Sequence, residues 1–122
     1  MAAVFLTIWP LSDFVGHAHW TRVVLVPFSE RHLPWRDVIG NLLLFFPFGL
    51  VSAWGTSKTV GQAMRVGLLV MALSSASEFY QIFCHRRFPT ATDVCSNTAG
   101  ALMGFLSARR APKRVTAAQV SR

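Results

Sequence analysis

The 122-residue chain is short of charge, and above all of acidic side chains. Only 14% of its residues are charged, whereas soluble proteins average about 25%, and only five residues are Asp or Glu. Hydrophobic residues make up 52%, and the mean hydropathy is +0.42. A chain of this length holds one domain at most, and its composition argues against a small soluble globule.

Cysteine is also scarce, and the common motifs of metal and phosphate chemistry are missing. Cys84 and Cys95 have no zinc spacing, which leaves either a disulfide between them or two small hydrophobic side chains. His17, His19 and His32 have no acidic or cysteine partner at a spacing that would complete a metal site. The sequence has no HExxH motif and no phosphate loop. We therefore expect no metal and no cofactor.

A formal net charge of +7 would suit a nucleic-acid partner. The cations, however, fall in short flanks between apolar runs and do not form one basic face. Cations that flank membrane spans are the commoner cause of such a charge. We expect membrane lipids as partners and no nucleic acid.

The apolar runs predict an all-α fold, a polytopic transmembrane helical bundle. Three clear spans are expected at residues 38–54, 66–83 and about 94–108. Residues 2–12 are apolar but shorter than the roughly 20 residues that a membrane helix needs. They predict a short N-terminal apolar segment, with a signal-peptide core as the alternative.

Three regions follow from this pattern. Residues 1–36 combine the short apolar helix with an interfacial segment, residues 37–108 form the transmembrane core, and residues 109–122 form a basic tail. The turn at 55–65 and the tail lie on one side and hold seven Lys or Arg, against five on the other side. Because cations near span ends favour the cytoplasm, we predict a multi-pass protein of the bacterial inner membrane with a cytoplasmic C-terminus.

Acids and amides recur together where the three spans meet the outer side. In each pair the two residues are three or four positions apart, so that both lie on one helix face; the pairs are Asp37/Asn41, Glu78/Gln81 and Asp93/Asn97. Helix capping alone also explains an Asp at a helix start. Together the pairs predict an inward-facing polar pocket. Gly100 and Gly104 form a G-x-x-x-G groove, which predicts close approach of a partner helix.

Glu78 is the strongest single candidate for a functional residue. It lies about five residues before the end of its span, or roughly 7–8 Å below that end. Acids at such depth are usually paired, protonated or functional. A hydrogen bond to a neighbouring helix is the structural alternative. Arg87 can bind an acid or a phosphate in fork geometry, or it can be an interfacial anchor like Arg86.

The ordered set of these residues resembles the VanZ-like family of small bacterial multi-pass membrane proteins. The matching elements are Pro27-Phe28, Asn41-x-x-Leu44-Phe45-x-Pro47-x-Gly49, Glu78-x-x-Gln81, and Arg87 followed by Asp93, Asn97, Gly100 and Gly104. The family is named for a protein associated with low-level resistance to the glycopeptide teicoplanin. The resemblance implies a cell-envelope protein related to glycopeptide resistance. Members of the family usually begin with a full apolar span, whereas the first apolar segment of this chain, residues 2–12, is shorter.

Three functions remain open at this point. The first is an outer-face site for a lipid-linked or glycopeptide-related ligand, with the residues Asp37, Asn41, Glu78, Gln81, Arg87, Asp93 and Asn97. The second is an intramembrane hydrolase or transferase, in which Glu78 is the general acid/base and Arg87 holds an anion. The third is a membrane assembly subunit that contacts a partner through Gly100 and Gly104.

Overall fold

A computed structural model describes residues 14–29, 35–54, 59–84 and 88–110, with the backbone alone at 109 and 110. Three α-helices account for most of these residues: α1 (Trp35–Ser52), α2 (Val60–Gln81) and α3 (Ala91–Arg110). A 3-10 turn at Trp20–Arg22 precedes them. Across the described ranges there is no β-strand, only two isolated bridges. The predicted all-α class is confirmed.

Each helix begins a few residues before the apolar run that predicts it, because hydropathy does not detect a polar first turn. Asp37 lies inside the first turn of α1, so its prediction as the residue opening that helix is wrong. The hydroxyl of Thr59 caps α2 by accepting the Gln62 N–H at 3.2 Å. The hydroxyl of Thr90 accepts the Asp93 N–H at 3.2 Å, so Thr90, and not Asp93, caps α3.

Among the described helices, α2 alone is long and apolar enough to cross a membrane by length and composition. The prediction of three clear spans is therefore not confirmed. α1 includes Arg36, Asp37 and Asn41 within its 18 residues. The first two turns of α3 are likewise rich in polar side chains.

The third helix packs against both others and is the centre of the fold. Its Gly100 lies against Leu42 of α1, and its Gly104 lies against Phe46. α1 and α3 therefore run parallel, and α2 runs antiparallel to them. As predicted from the sequence, the start of α1, the end of α2 and the start of α3 lie at one end of the bundle. The core contains one apolar cluster from all three helices: Phe45, Ala53, Val66, Val70, Ala101 and Phe105.

Glycine permits the closest contact in the fold, between α1 and α3. A Cβ atom on Gly104 would overlap the carbonyl oxygen of Phe46, and one on Gly49 would overlap that of Ala101. Gly100 faces the backbone of Leu42 in the same way. The close approach predicted for the G-x-x-x-G groove thus occurs within the chain. A further helix from another protein at this face stays a prediction.

An irregular segment, residues 14–29, crosses the end of the bundle where α2 ends and α3 begins; we call it the N-terminal strap. The His19 N–H donates to the carbonyl of Ile82 at 2.9 Å. Further along, Val24 accepts the Ala91 N–H at 2.9 Å and donates to the carbonyl of Pro89 at 3.0 Å. The strap is therefore attached by backbone hydrogen bonds both to the end of α2 and to the start of α3.

The strap ends in a turn with an unusual backbone conformation. Phe28 has φ = 60°, in the left-handed region that non-glycine residues rarely adopt. Its N–H donates at 2.8 Å to the hydroxyl of Thr92, a side chain that is fully buried on α3. This hydrogen bond holds the Pro27-Phe28 turn against the start of α3.

Candidate functional site

Asn41 and Asp93 connect α1 to α3. The Asn41 side-chain N–H donates to a carboxylate oxygen of Asp93 at 2.7 Å. Asp93 lies in the first turn of α3, where the helix dipole favours an anion. Asp37 lies one turn before Asn41 and is exposed.

Ser74 and Asn97 connect α2 to α3 deeper in the bundle. The Asn97 Nδ2–H donates to the Ser74 hydroxyl at 2.6 Å, and both side chains are buried. Asn97 Oδ1 is also buried, and it has no hydrogen-bond partner within the described residues. Asn97 follows Asp93 by one turn of α3, so α3 carries both interhelical contacts.

Glu78 contacts the N-terminus of α3. One carboxylate oxygen of Glu78 accepts the backbone N–H of Thr90 at 2.9 Å. In a capping box this N–H would bond to the side chain of the third helical residue, which here is Asp93. Here Glu78 takes that role from another helix, while the Asp93 carboxylate accepts from Asn41.

The structure thus brings most of the predicted site residues to one end of the bundle, where Asn41 and Asp93 are hydrogen-bonded to each other. Gln81 is buried at the last residue of α2, three positions after Glu78. Arg87 lies outside the described residues, as do His85 and Arg86. Thr90 and Thr92 were not identified from the sequence, because a threonine before an apolar run looks like any other loop residue.

An open groove of about 450 Å³ lies beside this polar cluster, between the strap, α2 and α3. Glu78 is half-buried in its wall. The other lining residues are mostly apolar: Trp20, Val23, Val24, Leu25, Met71, Ser75, Phe79, Ile82, Pro89, Thr90, Ala91, Val94 and Cys95. The strap wall was not predicted from the sequence, because backbone pairing leaves no periodic pattern in a sequence.

Within the described residues, the cysteines form no disulfide and the histidines belong to no three-residue group that could bind a metal ion. Cys84 and Cys95 are not joined by a disulfide, so the disulfide alternative is wrong. The rings of His17 and His19 meet edge to face with centroids 4.6 Å apart, and His32 lies outside the described ranges. Among the residues described, no three His, Cys, Asp or Glu side chains are placed to hold a metal ion.

A protein-family model described as VanZ/LLP1 matches residues 1–112 of the chain. This chain belongs to the VanZ/LLP1 family. The match includes all three helices in full, and with them the whole polar cluster and the groove. Comparison with curated proteins and with solved structures gives no match.

The elements that first indicated VanZ-like character have defined contacts in this chain. Asn41 bonds to Asp93, Gly49 and Gly104 allow α1 and α3 to touch, and Glu78 bonds to the start of α3. In this VanZ-like protein, therefore, the polar residues of the pattern hold together the end of the bundle that carries the polar cluster, and its glycines hold α1 against α3 farther along the helices.

Proposed function

We propose that this VanZ-like chain is a multi-pass protein of the bacterial inner membrane, with its polar cluster at the outer face and its C-terminus in the cytoplasm. The distribution of polarity supports this placement. Large apolar side chains are exposed on the outer faces of all three helices: Ile39, Leu43, Val51, Met64, Leu68, Leu69, Met103 and Leu106. In water such surfaces would favour aggregation or association.

The inside of the bundle, unlike its apolar outer surface, contains polar side chains. Its buried residues include a group of polar side chains: Ser74, Ser77, Gln81, Thr92, Ser96, Asn97 and Thr98. Hydroxyls of Ser96 and Thr98 donate to carbonyls one turn earlier in α3. Polar groups that turn inward and satisfy each other are what a hydrocarbon environment requires. This supports three membrane-crossing helices whose buried polar side chains face the bundle.

The function supported best is binding of a lipid-linked or glycopeptide-related ligand at the outer face. The observation that carries it is the position of Glu78, a half-buried carboxylate in the wall of an otherwise apolar groove. An acid there is costly unless it is used. The other proposed ligand contacts are Asp37, Asn41, Gln81, Arg87, Asp93 and Asn97.

The hydrogen bond from Thr90 gives Glu78 a structural role as well, and the test must separate the two. Glu78→Gln keeps a side-chain oxygen that can accept the Thr90 N–H, but removes the charge. Glu78→Ala removes both. If Glu78 serves only the helix cap, the glutamine variant behaves like the wild type.

Native mass spectrometry of the purified full chain measures the ligand. We expect Glu78→Gln to accumulate in membranes at the wild-type level and to lose the co-purifying lipid or glycopeptide-related molecule. Glu78→Ala should lose the same ligand and also unfold at a lower temperature. A glutamine variant that retains its ligand would reduce Glu78 to a capping residue and contradict the proposal.

A further inference from the structure

We propose that the groove between the strap, α2 and α3 binds one hydrocarbon chain of a membrane phospholipid that has an amine in its head group. This inference rests on the membrane placement and outer-face site proposed above, and it names the ligand class of that site. It also gives the strap a role, as one wall of the binding groove.

The lining has the chemistry of a hydrocarbon site. Of the groove residues, only Glu78 and Cys95 carry an ionisable group. Along α2 the groove follows one helix face from Met71 through Ser75 to Ile82. At about 1.5 Å per residue this face is roughly 16 Å long, which is a long, narrow shape suited to an extended chain.

The size of the groove suits a single hydrocarbon chain. Its volume of about 450 Å³ is in the usual range for small-molecule sites. A helix from a second copy is the competing occupant, and the experiment below distinguishes the two.

The surroundings of the groove indicate where the chain comes from. Met71 and Phe79 line it and are themselves exposed, and the apolar exposed surface continues along α2 to Leu68. In a membrane this face opens onto lipid. At the other end Trp20 is exposed and packs edge to face on Phe79, with centroids 6.4 Å apart. Tryptophan is enriched at the membrane interface, so this end corresponds to the level of lipid head groups.

Charge complementarity selects the head group. Glu78 lies at this interfacial end, and its carboxylate accepts the Thr90 N–H at 2.9 Å. A carboxylate has about four acceptor positions, so Glu78 can accept from an ammonium group in addition to its partners within the chain. An amine-bearing phospholipid places its chain in the groove and its ammonium at this carboxylate.

Two adjacent residues of α2 provide a matched test of the groove. Ser75 and Ala76 are both exposed, but only Ser75 lines the groove. The full chain is purified in detergent with equal amounts of phosphatidylethanolamine and phosphatidylglycerol, and bound lipid is counted by native mass spectrometry. We expect the wild type and Ala76→Phe to bind phosphatidylethanolamine to the same extent. In Ser75→Phe the amount of bound phosphatidylethanolamine should fall at least tenfold.

A second pair on α3 covers the case in which Ser75→Phe fails to fold. Val94→Phe narrows the groove from the opposite wall, whereas Ala99→Phe adds the same side chain at an exposed position outside it. Circular dichroism shows which variants are folded. Loss of lipid from Val94→Phe but not from Ala99→Phe supports the groove.

The outcomes separate this inference from the proposed function. If the filled-groove variants keep the lipid while Glu78→Gln loses it, the polar site stands and the hydrocarbon groove is wrong. If they lose the lipid while Glu78→Gln keeps it, the groove stands and the role of Glu78 is wrong. If phosphatidylglycerol binds as well as phosphatidylethanolamine, the proposed selection of an amine head group is wrong. If the wild type is a dimer without bound lipid and Ser75→Phe is a monomer, the groove binds a second copy of the chain and not a lipid.

Discussion

Glu78 on α2 accepts the backbone N–H of Thr90, and so completes the cap of a helix other than its own. The distance is 2.9 Å, and the hydroxyl of Thr90 accepts the N–H of Asp93 at the same helix start. Two donors that any α-helix leaves without an intrahelical partner are thereby satisfied. The end of α2 and the start of α3 are held together at this point.

The cap of α3 can be tested at Thr90. Thr90→Val keeps the shape of the side chain and removes the hydroxyl that accepts the Asp93 N–H, so we expect a loss of about 1 kcal/mol in unfolding free energy. Thr90→Ser keeps the hydroxyl and should stay within about 0.5 kcal/mol of the wild type. Denaturant unfolding in detergent measures both. A valine variant as stable as the serine variant would contradict the cap.

The buried contact between Ser74 and Asn97 gives a second prediction. Ser74→Ala removes the partner of a buried amide, which costs about 1–3 kcal/mol of stability. Ser75→Ala, at the exposed neighbouring position, should change stability by less than about 0.5 kcal/mol. Unfolding curves of the two variants under the same conditions decide the matter, and equal curves would show that the Ser74–Asn97 contact contributes nothing.

The close packing of α1 on α3 predicts opposite effects for two glycines. Gly104→Ala places a methyl group against the Phe46 carbonyl, so the helices must separate, with an expected loss of about 1–3 kcal/mol or more. Around Gly40 a Cβ would meet nothing within 4 Å. Gly40→Ala should therefore stabilise α1 by about 0.5–1 kcal/mol. Thermal unfolding of each variant measures the difference, and destabilisation by both would point to a general intolerance of alanine.

The proposed topology can be tested at the two ends of α2. Phe88 and Val60 are both well exposed, and they lie beyond the end and at the start of this helix. With Cys84 and Cys95 replaced, a cysteine at 88 should react with an impermeant reagent in intact cells. A cysteine at 60 should react only after the cells are permeabilised. The reverse pattern would invert the topology.

Much of this fold was predictable, for reasons that particular residues show. The apolar runs around Phe45, Val70 and Phe105 indicate three helices, because apolar runs of this length are typical of membrane helices. The paired polar residues indicate their common end, since Asn41 and Asp93 then fall at one level of an up-and-down bundle. Hydropathy could not indicate that Thr90 caps α3, because both Thr90 and Asp93 suit a helix start.

The groove was not predictable from the sequence. One of its walls is held by backbone hydrogen bonds between Val24 and Ala91, which are far apart in the chain. Backbone groups are the same at every residue, so such pairing leaves no mark on composition or spacing. The single clue was the interfacial segment predicted within residues 1–36, which did not indicate contact with the ends of α2 and α3.

The strap also sets an order of events during biosynthesis. It is made before the three helices, yet its hydrogen-bond partners at Ile82, Pro89 and Ala91 are made more than sixty residues later. Its backbone groups can therefore pair with these partners only after the first residue of α3 has been made. Closing this end of the bundle with the strap therefore requires the end of α2 and the start of α3 to be present together.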